Sequence, residues 1–110
     1  MAENELGRDA LEVFNGKKLS YTYENGWAFT NVFDGSTRIT EVEGRGTLRE
    51  RVAIRYVAPQ TYFITWTDDE MGPITQVIDL QARTLIAAVP VDGNIEVWTS
   101  TVTAFEDAGA

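Results

Sequence analysis

Tyr21 and Tyr23 are the first groups in the chain whose type and spacing could do chemistry. Alternate residues of a β-strand share a face, so both phenols are expected beside Leu19 on the inner side of one strand. Inward-facing hydroxyls need hydrogen-bond partners. The choice of chemistry is narrow, because the chain has no Cys and no His. Thiol nucleophiles, disulfides, thiolate and imidazole metal ligands and the usual general base are all excluded. Acid–base work would fall to Tyr, Asp, Glu, Lys or Arg. Asp68 is the carboxylate of interest, since it continues the parity of Tyr62, Ile64 and Trp66 along one strand and is expected at the rim of the interior or just inside it.

The elements that must position these groups read as short strands. Asn25-Gly26 follows the tyrosines and precedes Trp27, and this dipeptide between β-rich runs predicts a hairpin with a type I′ turn, both central residues at φ > 0. Upstream, Ala10, Leu11 and Phe14 suit one or two helical turns within 8–14 that lie on a barrel or plug one end, stopped by Asn15-Gly16. From Lys17 the apolar period changes to two. Strands are expected over 17–23, 27–33, 37–43, 47–57, 61–67, 74–80, 84–89 and 94–105, with turn chemistry between them. The expectation is a single domain, with 1–16 as lead-in, 17–105 as barrel and 106–110 as a frayed acidic tail. Eight strands joined only by hairpin-length connections favour an all-β, antiparallel up-and-down barrel, which hides its edges by closing and leaves room for side chains or one small ligand.

Alternation then selects an interior. Trp27, Phe29, Asn31 and Phe33 share a face opposite small residues, and Tyr62, Ile64 and Trp66 oppose a face of threonines. On the long fourth strand Leu48, Val52, Ile54 and Tyr56 face one way and Arg49, Arg51 and Arg55 the other. With Glu50 nearby, the arginines read as surface pairs or a dimer contact. The last strand is ambiguous, because Ile95 and Val97 oppose Trp98, Val102 and Ala104 and a bulge could switch the parity. An interior holding Tyr21, Tyr23, Trp27, Phe29, Asn31, Tyr62, Trp66 and a carboxylate has two readings. The aromatics fill a small barrel, or they line a ligand cavity with a few convergent polar groups.

Composition bounds the partners. The chain has 110 residues and a formal charge of −8, from 17 acidic against 9 basic residues. That argues against nucleic acid and anionic membrane surfaces. No stretch approaches the roughly 20 apolar residues of a membrane helix, and no signal-peptide pattern opens the chain, so the expectation is a soluble cytoplasmic protein. Asp68-Asp69-Glu70 lacks the ligand spacing and glycine of a calcium loop and reads as a solvated acidic turn. No metal and no cofactor are expected.

Tyr21-Thr22-Tyr23-Glu24-Asn25-Gly26-Trp27 resembles the YTYENGW segment of bacterial phenolic acid decarboxylases. Gly44-Arg45 resembles that family's Gly-Arg-Trp segment, and Ile64-Thr65-Trp66-Thr67-Asp68 resembles its V-S-W-T-E strand end. The resemblance runs from Leu19 to Val89. The Phe14-Asn15-Gly16-Lys17-Lys18-Leu19 opening and the short length are more similar to the MoaF-like branch of the same barrel. The resemblance implies a lipocalin-like (calycin) fold, a homodimer, and a cofactor-free lyase or isomerase acting on a small aromatic or conjugated carboxylic acid. By the same resemblance Tyr21, Tyr23 and Arg45 would hold the carboxylate and Asp68 would donate the proton. Trp27, Phe29, Asn31, Tyr62, Ile64 and Trp66 would surround the ligand. Two departures bear on this. Asp68 is one methylene shorter than the family's glutamate, and Phe29 stands where the decarboxylases carry a further tyrosine. The alternatives are a non-catalytic MoaF-like binding protein, or an interaction barrel filled by its own side chains.

Overall fold

The computed structural model describes residues 5–42 and 44–109. Eight antiparallel strands close into one up-and-down barrel in sequence order, β1 (Lys17–Tyr23), β2 (Ala28–Asp34), β3 (Thr37–Val42), β4 (Gly46–Ala58), β5 (Thr61–Asp68), β6 (Gly72–Asp79), β7 (Thr84–Val91) and β8 (Asn94–Asp107). The expected all-β architecture and the single short helix, α1 (Leu11–Phe14), are both present. Closure pairs β1 with β8 and leaves no open sheet edge. Among the described residues no helix is long and apolar enough to cross a membrane.

Helix α1 seals one end. Phe14 is fully buried and sits edge-on to Phe33, Tyr62 and Phe105, with ring centroids 5.3, 5.4 and 5.2 Å away. The segment before it is tied down by backbone hydrogen bonds. Gly7 N–H donates to Tyr56 O, Tyr56 N–H to Arg8 O, and Ala10 N–H to Ile54 O, all at 2.8–2.9 Å. The far half of β4, past its pairing with β3, therefore has this lead-in as a neighbour. Residues 1–4 of the lead-in lie outside the described residues.

The first hairpin differs from the I′ expectation. Only Gly26 has positive φ (94°). Gly26 N–H donates to Tyr23 O (2.9 Å) and Tyr23 N–H to Trp27 O (2.7 Å), so the loop has three residues, Glu24-Asn25-Gly26. The Asn25 side chain accepts from Trp27 N–H (2.9 Å), which keeps Asn25 out of the left-handed region. The two-residue turn with both residues at positive φ lies instead at Asp92 (51°) and Gly93 (81°), between Val91 and its partner Asn94.

The ambiguous last strand is resolved by a bulge. Ser20 pairs with Ala104 but Tyr21 pairs with Val102, so Thr103 is the extra residue. On one side of it Phe105 turns inward against Phe14. On the other, Trp98, Ser100 and Val102 turn inward and leave Ile95 and Val97 exposed. The strand also runs on to Asp107, in place of the expected frayed tail. Lys17 and Lys18 hold Asp107 and Glu106 at 2.7 and 3.4 Å.

Candidate functional site

The end of the barrel opposite Phe14 opens into a cavity of about 620 Å³. Its walls are Tyr21, Tyr23, Phe29, Trp66 and Trp98, with Arg38, Thr40, Arg45 and Asp68 among them. A larger hollow of about 750 Å³ runs over other strands, lined mostly by threonines and aliphatic residues of β6–β8, and gathers no cluster of charged groups.

The two phenols meet edge to face, 5.5 Å apart between centroids. Each phenol oxygen accepts one hydrogen bond: Tyr21 from Arg38 Nη2 (3.1 Å), Tyr23 from Gln76 Nε2 (3.0 Å). Each therefore retains its own O–H, to donate to the other phenol or to a ligand. Burial, and then the neighbouring Tyr21, push the Tyr23 hydroxyl well above the ordinary tyrosine range, so it stays protonated and acts as a donor.

Arg38 is buried under these rings. Its guanidinium carbon lies 3.7 Å from the centroid of Trp66, and Nη1 donates to Glu50 Oε1 at 2.5 Å. Glu50 faces inward, so the expected surface pairing with the arginines of β4 does not occur; Arg49, Arg51 and Arg55 are exposed on the outer face. Beside Arg38, Asn31 is fully buried and donates through Nδ2 to Thr40 Oγ1 at 2.7 Å.

Asp68 and Arg45 meet at the mouth. Arg45 Nη1 approaches Asp68 Oδ2 at 3.3 Å, Nη2 approaches Asp69 Oδ1 at 2.8 Å and Nε approaches Glu70 Oε2 at 3.5 Å. The acidic turn is solvated at Asp69 and Glu70, as expected, and is also gathered around one cation. Asp68 Oδ1 also accepts from the backbone N–H groups of Glu70 (2.8 Å) and Met71 (2.9 Å). Burial disfavours the Asp68 carboxylate, but the Met71 and Glu70 N–H groups together with Arg45 outweigh it and hold the group below the usual carboxylate range. Asp68 is therefore ionised at neutral pH in this arrangement. A proton donor needs the opposite environment.

The structure brings Tyr21, Tyr23, Arg45, Asp68, Phe29 and Trp66 to one cavity. Trp27 forms the lip and is 55% exposed, stacked edge-on to Trp98, because the three-residue loop places it outside β2. Asn31, Tyr62 and Ile64 point inward but do not reach the cavity wall. Tyr62 belongs to the plugged end, where it packs on Phe14, and Ile64 fills the middle.

Arg38, Thr40, Glu50, Gln76 and Trp98 belong to the site without having been legible as such in the sequence. A signal existed for the first two. The short turn at Gly35 pairs Asp34 with Thr37, which sets Phe33 opposite Arg38 and Asn31 opposite Thr40. Directly opposed residues share a face, so an inward Phe33 and Asn31 carry Arg38 and Thr40 inward with them.

Fold and site together define a closed eight-stranded antiparallel barrel with one end plugged and the other open to an aromatic cavity. No protein-family profile matches the chain, and no curated protein matches it. Among solved structures it is similar to a protein from Burkholderia vietnamiensis provisionally named a beta-lactamase. The TM-score is 0.73 at 20% identity, over 83% of this chain and 94% of that one. At that identity the likeness shows the barrel fold alone.

Proposed function

We propose that this chain is a small-molecule-binding barrel whose cavity takes a planar aromatic or conjugated carboxylic acid without turning it over. The observation that carries the reading is the pair of phenols. Tyr21 and Tyr23 each accept one internal hydrogen bond and keep an O–H to donate, on the wall of an aromatic cavity. Two adjacent O–H donors suit the two oxygens of a carboxylate, and the rings of Phe29, Trp66 and Trp98 suit a flat π-system. The resemblance of residues 21–27 to the phenolic acid decarboxylases, and of the opening segment to the MoaF-like branch, supports the same lipocalin-like ligand cavity.

Binding without turnover is favoured over a lyase because Asp68 is held as a carboxylate by two backbone donors and Arg45. The lyase reading is supported by one specific observation, the convergence of Tyr21, Tyr23, Arg45 and Asp68 on the same cavity. The beta-lactamase name of the Burkholderia protein is not carried over, since a likeness at 20% identity extends to the fold alone.

The test is a melting-temperature screen with hydroxycinnamic acids on the wild type and on Tyr23→Phe. A ligand at a hundredfold excess over its Kd adds about 2.7 kcal/mol of stability, a shift easily read. A shift in the wild type that is lost in Tyr23→Phe is expected, with the acid recovered intact. Release of a styrene product would establish the lyase instead, and no shift with any acid would overturn the cavity reading.

A further inference from the structure

We infer that Arg38, and not Arg45, is the cation that meets the ligand's carboxylate, with Glu50 and Trp66 as the residues that position it. The inference rests on the reading of the cavity as a carboxylic-acid site and adds the group that decides the charge of what it accepts.

The two arginines of the cavity differ in what they have left to offer. Arg45 is at the mouth, and all three of its nitrogens face carboxylates, those of Asp68, Asp69 and Glu70. An anion approaching it meets three negative charges for one positive. Its role is to tie the β3–β4 turn to the loop after β5. Arg38 lies deeper. It is only 5% exposed, yet it forms part of the cavity wall. Nη1 is taken by Glu50 and Nη2 donates to the Tyr21 hydroxyl. Nε is buried and has no partner among the described residues. A buried donor without a partner is costly, so Glu50 and Tyr21 leave part of the hydrogen-bonding capacity of this cation unused.

The geometry also fixes the direction of approach. One face of the guanidinium lies against Trp66 at 3.7 Å, an attraction that favours its place along the barrel wall. Through Nη2 the cation is joined to the Tyr21 hydroxyl, whose free hydrogen belongs to the same donor set as that of Tyr23. A carboxylate against the two phenols therefore sits beside Arg38. Glu50 neutralises part of the positive charge, which makes the site selective for a single carboxylate on a flat ring rather than for a strongly charged ligand such as a phosphate.

The experiment compares 4-hydroxycinnamate with its neutral methyl ester by titration calorimetry. The wild type is expected to prefer the acid. In the double variant Arg38→Gln/Glu50→Gln, which removes both charges together, the acid is expected to weaken by about tenfold or more, the size of a charge-assisted hydrogen bond, while the ester is unchanged. Equal losses for acid and ester, no loss for the acid, or a larger loss of acid in Arg45→Gln would overturn the inference. Glu50→Gln decides the matter even if the double variant does not fold. The amide oxygen introduced by that substitution can still accept from Nη1, so Arg38 keeps its place but loses its competing carboxylate, and acid binding is expected to tighten. Unchanged or weaker acid binding in Glu50→Gln overturns the inference. If the wild type binds neither acid nor ester, the cavity reading falls first and this one with it. If it binds both equally, only the role of Arg38 falls.

Discussion

Arg38 on β3 lies against Trp66 on β5, its guanidinium carbon 3.7 Å from the indole centroid. Strand β4, which runs between these two, supplies Glu50 to the same guanidinium. Three consecutive strands are thereby joined through one buried cation. Breaking a buried pair by removing one partner costs about 3–5 kcal/mol, because the other charge is left without compensation, whereas apolar replacement of both can be nearly neutral. Arg38→Met alone is expected to lower the unfolding free energy by about that amount, and Arg38→Met/Glu50→Leu to recover most of it. Urea denaturation of the two variants checks this.

Phe14 should matter for stability and not for the cavity. It plugs the end opposite Trp66 and Asp68 and touches three aromatic rings. Phe14→Ala is expected to cost about 3–5 kcal/mol, from lost burial and the void left behind. At a temperature where the variant is folded, its ligand affinity should match the wild type.

Two of the buried tyrosines, Tyr23 and Tyr62, should separate. Tyr23→Phe leaves Gln76 Nε2 buried without an acceptor, a loss of about 1–3 kcal/mol, and removes one donor from the cavity. Tyr62→Phe lies in the plugged end and is expected to leave ligand binding unchanged. Parallel melting curves with and without a hydroxycinnamic acid distinguish the two.

Acid should weaken the fold through a defined set of carboxylates. Asp68 is held low by backbone N–H groups and Arg45 against the opposing effect of its burial, Glu24 by Thr99 and Asp107 by Lys17. A carboxylate whose folded value lies below its unfolded value of about 4 stabilises the fold above that pH. The contribution disappears as pH falls through the lower folded value. Melting temperature is expected to hold from neutral pH down to about 5 and then to decline, and Asp68→Asn should flatten part of that decline.

The first hairpin offers a backbone test. Gly26 has φ of +94° and nothing within 4 Å of where a Cβ would sit, so Gly26→Ala meets no clash. Its cost is conformational alone, about 1–2 kcal/mol for an L-residue in the left-handed region. A loss of that size in chemical denaturation is expected.

The short-range pattern determined much of this protein. Period-two alternation with turn residues between strands specified eight strands, their order and the barrel, and the spacing of Leu11 and Phe14 specified a short helix but not whether it lies on the barrel or plugs one end. It also turned Tyr21, Tyr23, Trp66 and Asp68 inward, since their own strands carry the parity. What it did not carry is anything set by pairing between strands. Arg38 and Thr40 lie on the less hydrophobic-looking side of β3, opposite Ile39, and face inward only because β2 hands them its register. Trp98 and Phe105 both face the interior only because Thr103 bulges. The ionised state of Asp68 depends on the loop that folds back to give it two N–H donors and on an arginine 23 residues earlier in the chain. Alternation is a property of one strand, readable from neighbours in the chain. Register, bulges and charge pairing are agreements between distant segments, and the tertiary structure decided them because only closing the barrel brings those segments within reach of one another.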